Sequence, residues 1–325
     1  MKLKVVVMVI FSLLLYGCIT STPEIISSDI HDTGTIDVYF CPQQNCEQEL
    51  VQFIASAQQS IHCALFDVGL VSVQDILLEK KRKIDVKVVT DNDYLRKFNH
   101  SFVKADKWGL MHNKFCVIDG KKVSTGSMNP TDNDAHKNNN NLLLIESTVL
   151  AQNYEQEFQE MWNGTFKKGT AVAVDSFFLN NISIQNYFCP EDRCAERVKE
   201  ELKKAQKSIY FMAFSFTHEG IANIILLKHL DGIAVHGVME ARQVTKDSQF
   251  ARLQYQEIDV IKDKNKQNMH HKVFVIDNET VITGSFNPTN GGDRRNDENI
   301  LIIKDKEIAA LFLEEFRKVY EKEKE

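Results

Sequence analysis

One polar pattern, His-x-Lys-x4-Asp-x6-Gly-Ser-x-Asn, occurs twice in this 325-residue chain. The first copy is His112, Lys114, Asp119, Gly126, Ser127 and Asn129. The second, 158 positions on, is His270, Lys272, Asp277, Gly284, Ser285 and Asn287. The likeness runs beyond the motifs. Residues 38–42 match 186–190, and 57–61 match 205–209, both 148 positions apart, while 141–145 match 299–303 at 158. The second copy therefore carries about ten extra residues, placed within 242–266. Two copies are too few for a solenoid. They imply a duplicated domain, a pseudo-twofold pair and one site assembled from two halves.

Each half shows the same order of elements. Residues 35–40, 61–68, 86–90, 114–119, 123–126 and 142–146 read as strands, and 46–59, 71–83 and 148–162 as helices. The second half repeats this with strands at 209–216 and 235–239 and helices at 221–230 and 308–320. Continuous apolar strands alternating with helices predict an α/β fold: two tandem α/β/α sandwich domains.

Composition is that of a globular protein, 43% hydrophobic and 26% charged. A net charge of −6 argues against general nucleic-acid binding. Basic residues nonetheless gather near the motifs: Lys104, Lys107, Lys121, Lys122, Lys262, Lys264, Lys266, Arg294 and Arg295. They read as solvated loop residues individually and as a rim for an anionic substrate together.

Residues 1–18 read as an export signal. Lys2 and Lys4 precede an apolar run at 5–16, shorter than the roughly 20 residues of a membrane span. Leu15, Tyr16, Gly17 and Cys18 resemble a lipoprotein cleavage box with Cys18 lipidated; a plain signal peptide or an uncleaved anchor are the other readings. Residues 19–33 then form a tether, 34–165 the first domain and 166–325 the second. Cys41 and Cys46 recur as Cys189 and Cys194, each pair just before a helix. In an exported chain these read as two local disulfides; one metal held by all four thiolates is the alternative. Cys63 and Cys116 lie in apolar strands and read as buried free thiols.

Residues two apart on a strand share a face, so His112 points with Lys114 and His270 with Lys272. His271 faces away and reads as structural. Asp119 lies at an odd offset from His112 and reads as an orienter or loop brace, and Asp277 likewise. Gly126 and Gly284 permit close backbone approach; Ser127, Asn129, Ser285 and Asn287 supply neutral donors. Lysine offers a fixed charge to phosphate oxygens. Two histidines suit a two-step displacement at phosphorus, one attacking, the other donating a proton and then activating water. The lysines and asparagines would bind the developing charge. Such chemistry requires no metal or other cofactor.

At these residues, and at the stretch from Asn296 to Asn299, the chain resembles the phospholipase D superfamily, from about residue 35 to 322. The halves look most like the small nuclease-type and cardiolipin hydrolase-like members. Those usually carry one motif per chain and dimerise, so the resemblance implies a chain active as a monomer. It also implies metal-free phosphodiester hydrolysis through a phosphohistidine, with His112 the nucleophile, His270 the acid and Glu298 a histidine partner. The first half has Asn140 where the second has Glu298, so the histidines should differ in basicity. A contact from Glu298 to His270 would suit the acid role.

Phospholipid head groups and nucleic acid both fit as substrates. Lipidation at Cys18 would hold the chain on a membrane and favours the lipid. A surface-tethered DNA or RNA endonuclease and a phosphatidyl transferase are alternatives, and a non-catalytic anion-binding lipoprotein is a remote one.

Overall fold

The computed structural model describes residues 30–321. The signal segment, Cys18 and most of the expected tether lie outside the described residues. The tether's last residues do not behave as one. His31–Asp32 is a strand paired in parallel with Phe178–Leu179. His31 stacks on Phe178, and Asp32 accepts hydrogen bonds from the Ser147 hydroxyl (2.7 Å) and the Val149 amide (3.0 Å). The N-terminal end of the described chain thus joins the second half's sheet.

The described residues form two sheets, one per half. The first runs, in spatial order, Thr35–Cys41, Asn140–Glu146, Lys122–Gly126, Lys114–Ile118, Ser60–Leu65, Asp85–Thr90 and Val103–Ala105. The second repeats this order through Ile182–Cys189, Asn296–Lys304, Thr280–Gly284, Lys272–Ile276, Ser208–Ala213, Ala234–Met239 and Asp259–Lys262. The expected tandem α/β/α halves are present. The insertion also falls where the repeat placed it, and part of it forms the helix Phe250–Tyr255, whose Phe250 and Leu253 are buried.

Apolar residues explain the layering. Helices Cys46–Ala55 and Val71–Lys81 cover the outer face of the first sheet, burying Leu50, Ile54, Val73 and Leu77. Cys194–Lys203 and Glu219–Leu230 do so for the second. Thr148–Trp162 and Lys306–Glu321 lie between the sheets, where Tyr154, Phe158, Phe312 and Phe316 join Phe40, Phe115, Phe188 and Val275 in one core. Edge-to-face rings link the halves: Phe40 with Phe312 (5.1 Å) and Tyr154 with Phe188 (5.0 Å).

Cys63 and Cys116 are not free thiols. Register sets them opposite each other on antiparallel strands, and they close a disulfide with a Cα–Cα distance of 4.0 Å. Cys41–Cys46 and Cys189–Cys194 are disulfides as well, which leaves none of those four as a thiolate for metal.

Asp119 adopts a positive φ of 54° after the motif strand. Its carboxylate accepts hydrogen bonds from the backbone N–H groups of Gln58, Gln59 and Ser60 at 2.7–3.1 Å. Asp277 does the same for Gln206, Lys207 and Ser208. Both aspartates therefore brace the turn entering a neighbouring strand. Burial pushes the Asp119 carboxyl up, but the N–H donors outweigh it and hold it below the usual value. A depressed carboxyl stabilises the fold above its unfolded value of about 3.9 and loses that contribution as pH falls through the folded value. Asp119→Asn is expected to cost about 2 kcal/mol in chemical denaturation at neutral pH, the loss shrinking as pH falls below about 4.

Candidate active site

The motif strands Lys114–Ile118 and Lys272–Ile276 begin where the two halves meet. Just before the first, Leu110–Met111 pairs with Asn296–Asp297 of the other half. Asn139 bridges Met269 in the same way. The His112 amide donates to the Asp297 carbonyl (2.9 Å), and that of His270 to the Asn139 carbonyl (2.8 Å). Each histidine is thereby anchored to the opposite half.

The side chains cross over too. His112 Nδ1 lies 2.7 Å from Glu298 Oε2, which also accepts from the Ser285 hydroxyl (2.7 Å). His270 Nδ1 lies 2.8 Å from Asn140 Oδ1, which accepts from the Ser127 hydroxyl (3.1 Å). This corrects the sequence expectation of a contact from Glu298 to His270. A strand's own half supplies its serine brace, but its third residue reaches the other half's histidine. Sequence spacing carries no information about that crossing.

Both imidazoles are 7% exposed. With Nδ1 engaged, Nε2 of each is left for chemistry. The Lys114 ammonium donates to the His112 carbonyl (2.6 Å), and Lys272 to that of His270 (2.7 Å). Phe66 stands edge-on to His112 (4.9 Å) and Phe214 to His270 (4.6 Å), and each ring also underlies its half's lysine. These phenylalanines were not singled out from sequence, although they are 148 positions apart, the offset of the repeat's early part.

Neutral groups complete the seam. Asn299 Nδ2 donates to Asn113 Oδ1 (2.7 Å), and Asn141 Nδ2 faces His271 Nδ1 (3.1 Å). His271 is fully buried and reaches Glu315 (3.4 Å) on its other side, away from the two motif histidines. Gly126 and Gly284 hold φ values of 131° and 138°, and a Cβ at either would meet the Asn141 or Asn299 carbonyl at 2.5 or 2.4 Å. Asn129 and Asn287 follow these turns, each with a buried Oδ1 that has no partner among the described residues. Such orphans are rare away from ligand positions. Asp119 and Asp277 lie at the far ends of the motif strands.

Electrostatics follow from burial and like charge. Burial first, then Lys114 and Lys272, holds His112 well below its usual value. Burial, then Lys272, does so for His270, with Asp134 opposing. Burial lowers Lys114 to about 8, with Glu298 and Asp134 opposing. Lys272 falls too, from burial and then Lys114. Burial lifts Glu298 to about 7 against the pull of Lys114. Two lysines held close in a dry site stabilise each other poorly until an anion enters. The arrangement is an anion site flanked by two imidazoles whose charged forms burial disfavours.

Residues 50–162 and 198–320 match the family model described as "Cardiolipin synthase, PLD-like domain". Phospholipase D of Rickettsia conorii is 33% identical over 149 residues, 45% of this chain and 74% of the relative. Mitochondrial cardiolipin hydrolase of Xenopus tropicalis is 32% identical over 136 residues, 38% of this chain and 65% of the relative. The crystal structure of phosphatidylserine synthase from Haemophilus influenzae shares the fold across 88% of this chain and 86% of its own, with a TM-score of 0.68 at 12% identity. The chain belongs to the phospholipase D-like family of phosphodiesterases, with two family domains in one polypeptide.

Sulfate keeps its charge over the pH range in which Lys114 titrates, so it reports the site's own protons. Sulfate affinity by calorimetry is expected to weaken as pH rises through about 8, as Lys114 loses its proton. Lys114→Met is expected to lower the affinity and flatten that dependence.

Proposed function

We propose that this chain hydrolyses phospholipid phosphodiesters through a covalent phosphohistidine on His112, with His270 as acid and then base and no metal in the step. The observation that carries the reading is the hydrogen bond from His112 to Glu298. It fixes the Nδ1–H tautomer, leaves the Nε2 lone pair for attack, and stabilises the positive charge that the ring acquires on phosphorylation. Nε2 bonds to phosphorus as the P–O bond to the leaving alcohol breaks, and His270 gives that oxygen its proton. His270 then takes a proton from water, the water oxygen bonds to phosphorus, and the P–Nε2 bond breaks. Lys114 and Lys272 supply the positive charge opposite the phosphate oxygens throughout.

Several observations favour lipid over nucleic acid. Trp108 is 70% exposed, and Leu110 is exposed beside it, a few residues before His112. Trp108 lines a hollow of about 630 Å³ together with Lys104, Lys107, Lys168, Trp162 and Phe166. Indole and lysine side by side suit the interface of an anionic membrane. Export with lipidation at Cys18 would place the chain there, and three disulfides fit an oxidising compartment. The chain would act as a monomer, since both motifs are in one polypeptide.

The test offers detergent-solubilised full chain, in EDTA, three substrates side by side: mixed micelles containing anionic phospholipid, plasmid DNA and RNA. Head-group release, abolished in His112→Ala, is expected from the micelles. Cleavage of nucleic acid alone would replace this reading by a nuclease, and transfer to an added alcohol without hydrolysis would make it a transferase. Cys18→Ser is expected to move the protein from the membrane to the soluble fraction, and fatty-acid labelling should be lost with it.

A further inference from the structure

The two half-sites can be compared position by position, because they share one register. Glu298 and Gly292 in the second half correspond to Asn140 and Asp134 in the first, 158 positions earlier. Where the second half has a carboxylate on the strand and glycine at position 292 of the preceding helix, the first has an amide on the strand and a carboxylate at the equivalent helix position. We propose that Asp134 is the positioning residue that supplies the carboxylate missing from Asn140, so that each histidine retains one anionic partner.

The geometry supports the exchange. Asp134 is 4% exposed and is the middle residue of the short helix Asp132–His136. Its Oδ2 lies 3.5 Å from His270 Nδ1. The same oxygen accepts from the Asn129 amide (2.8 Å) and the Asn129 side chain (2.7 Å), and Oδ1 accepts from Asn138 (2.5 Å). The Asn140 amide orientation is set by its Nδ2, which donates to the Asp134 carbonyl (3.1 Å), turning Oδ1 toward His270. At position 292 the exchange has no counterpart: a Cβ there would meet the Asn287 carbonyl at 2.5 Å. Burial opposes ionisation of Asp134, but His270, Asn138, Asn129 and Lys272 outweigh it and hold its carboxyl below the usual value. It therefore stays anionic.

The charged and titratable groups felt by His270 are Lys272 on its own strand, Lys114 and His112 from the first half, and Asp134. Of these only Asp134 favours a proton on the ring. An acid that must hold a proton among two lysines needs such a carboxylate, whereas the amide of Asn140 only orients the ring. This inference rests on the reading of His270 as the acid.

The test is the titration of His270 by NMR of ring-labelled histidine in the full chain with saturating sulfate, which requires no turnover. Asp134→Asn keeps the side-chain shape and is expected to lower the His270 midpoint by about one to three units. The alkaline limb of the kcat profile should move down with it, with KM little changed. The double variant Asp134→Gly with Asn140→Glu copies the second half and is expected to restore the midpoint. An unchanged midpoint in folded Asp134→Asn overturns the proposal. If that variant does not fold, the double variant decides: a midpoint below wild type overturns it, and a wild-type midpoint supports it. A shifted midpoint with an unmoved kcat limb would keep the carboxylate's role and refute the acid role of His270, separating the two readings.

Discussion

The hydrogen bond between His112 and Glu298 joins two halves that each look complete in sequence. Glu298 is fully buried, on a strand whose own half gives it, among the described residues, the Ser285 hydroxyl and the Asn296 amide. Without its histidine it would be a buried carboxyl held by neutral donors, in a setting that already lifts it to about 7 and so favours its neutral form. Asn141 and Asn299 are likewise paired between halves, their amides satisfying His271 and Asn113 across the seam. The halves are therefore held in one register by polar groups that have few other partners, with the aromatic core between the sheets supplying most of the apolar burial.

Covalent linkage of the halves permits what a symmetric dimer of single-motif chains cannot have: two different histidine environments. Glu298 serves one ring, Asn140 with Asp134 the other. Lys114 and Lys272, Phe66 and Phe214, and Ser127 and Ser285 remain matched. In the proposed mechanism the shared parts would bind and shape the phosphate, and the unshared parts would divide the roles of nucleophile and acid. Two groups with environments pushed apart is the usual way one site performs both steps.

Much of this was legible because strand geometry is strict. Period-two alternation put His112 and Lys114 on one face and His271 on the other, and the odd offset of Asp119 marked it as a brace. The constant 158 spacing tied the motifs to the strands after them. The partner of Glu298 was not legible, since it depends on how one half docks on the other, and parity within a strand is silent on that. Asp134 falls outside every strand, helix and motif read from the sequence. Phe66 and Phe214 lie within strands read as apolar runs, which gives no sign that each ring faces a histidine. Cys63 and Cys116 looked like isolated apolar thiols because pairing register, which sets them opposite each other, is a property of two strands.

The most direct test of the crossed-partner account is to locate the covalent intermediate. The chain would be mixed with a phosphodiester substrate, quenched in alkali, where phosphohistidine survives, digested and read by mass spectrometry. The account predicts phosphate on the peptide bearing His112, with none on the peptide bearing His270. Phosphate on His270, or an intermediate undiminished in His112→Ala, would contradict it.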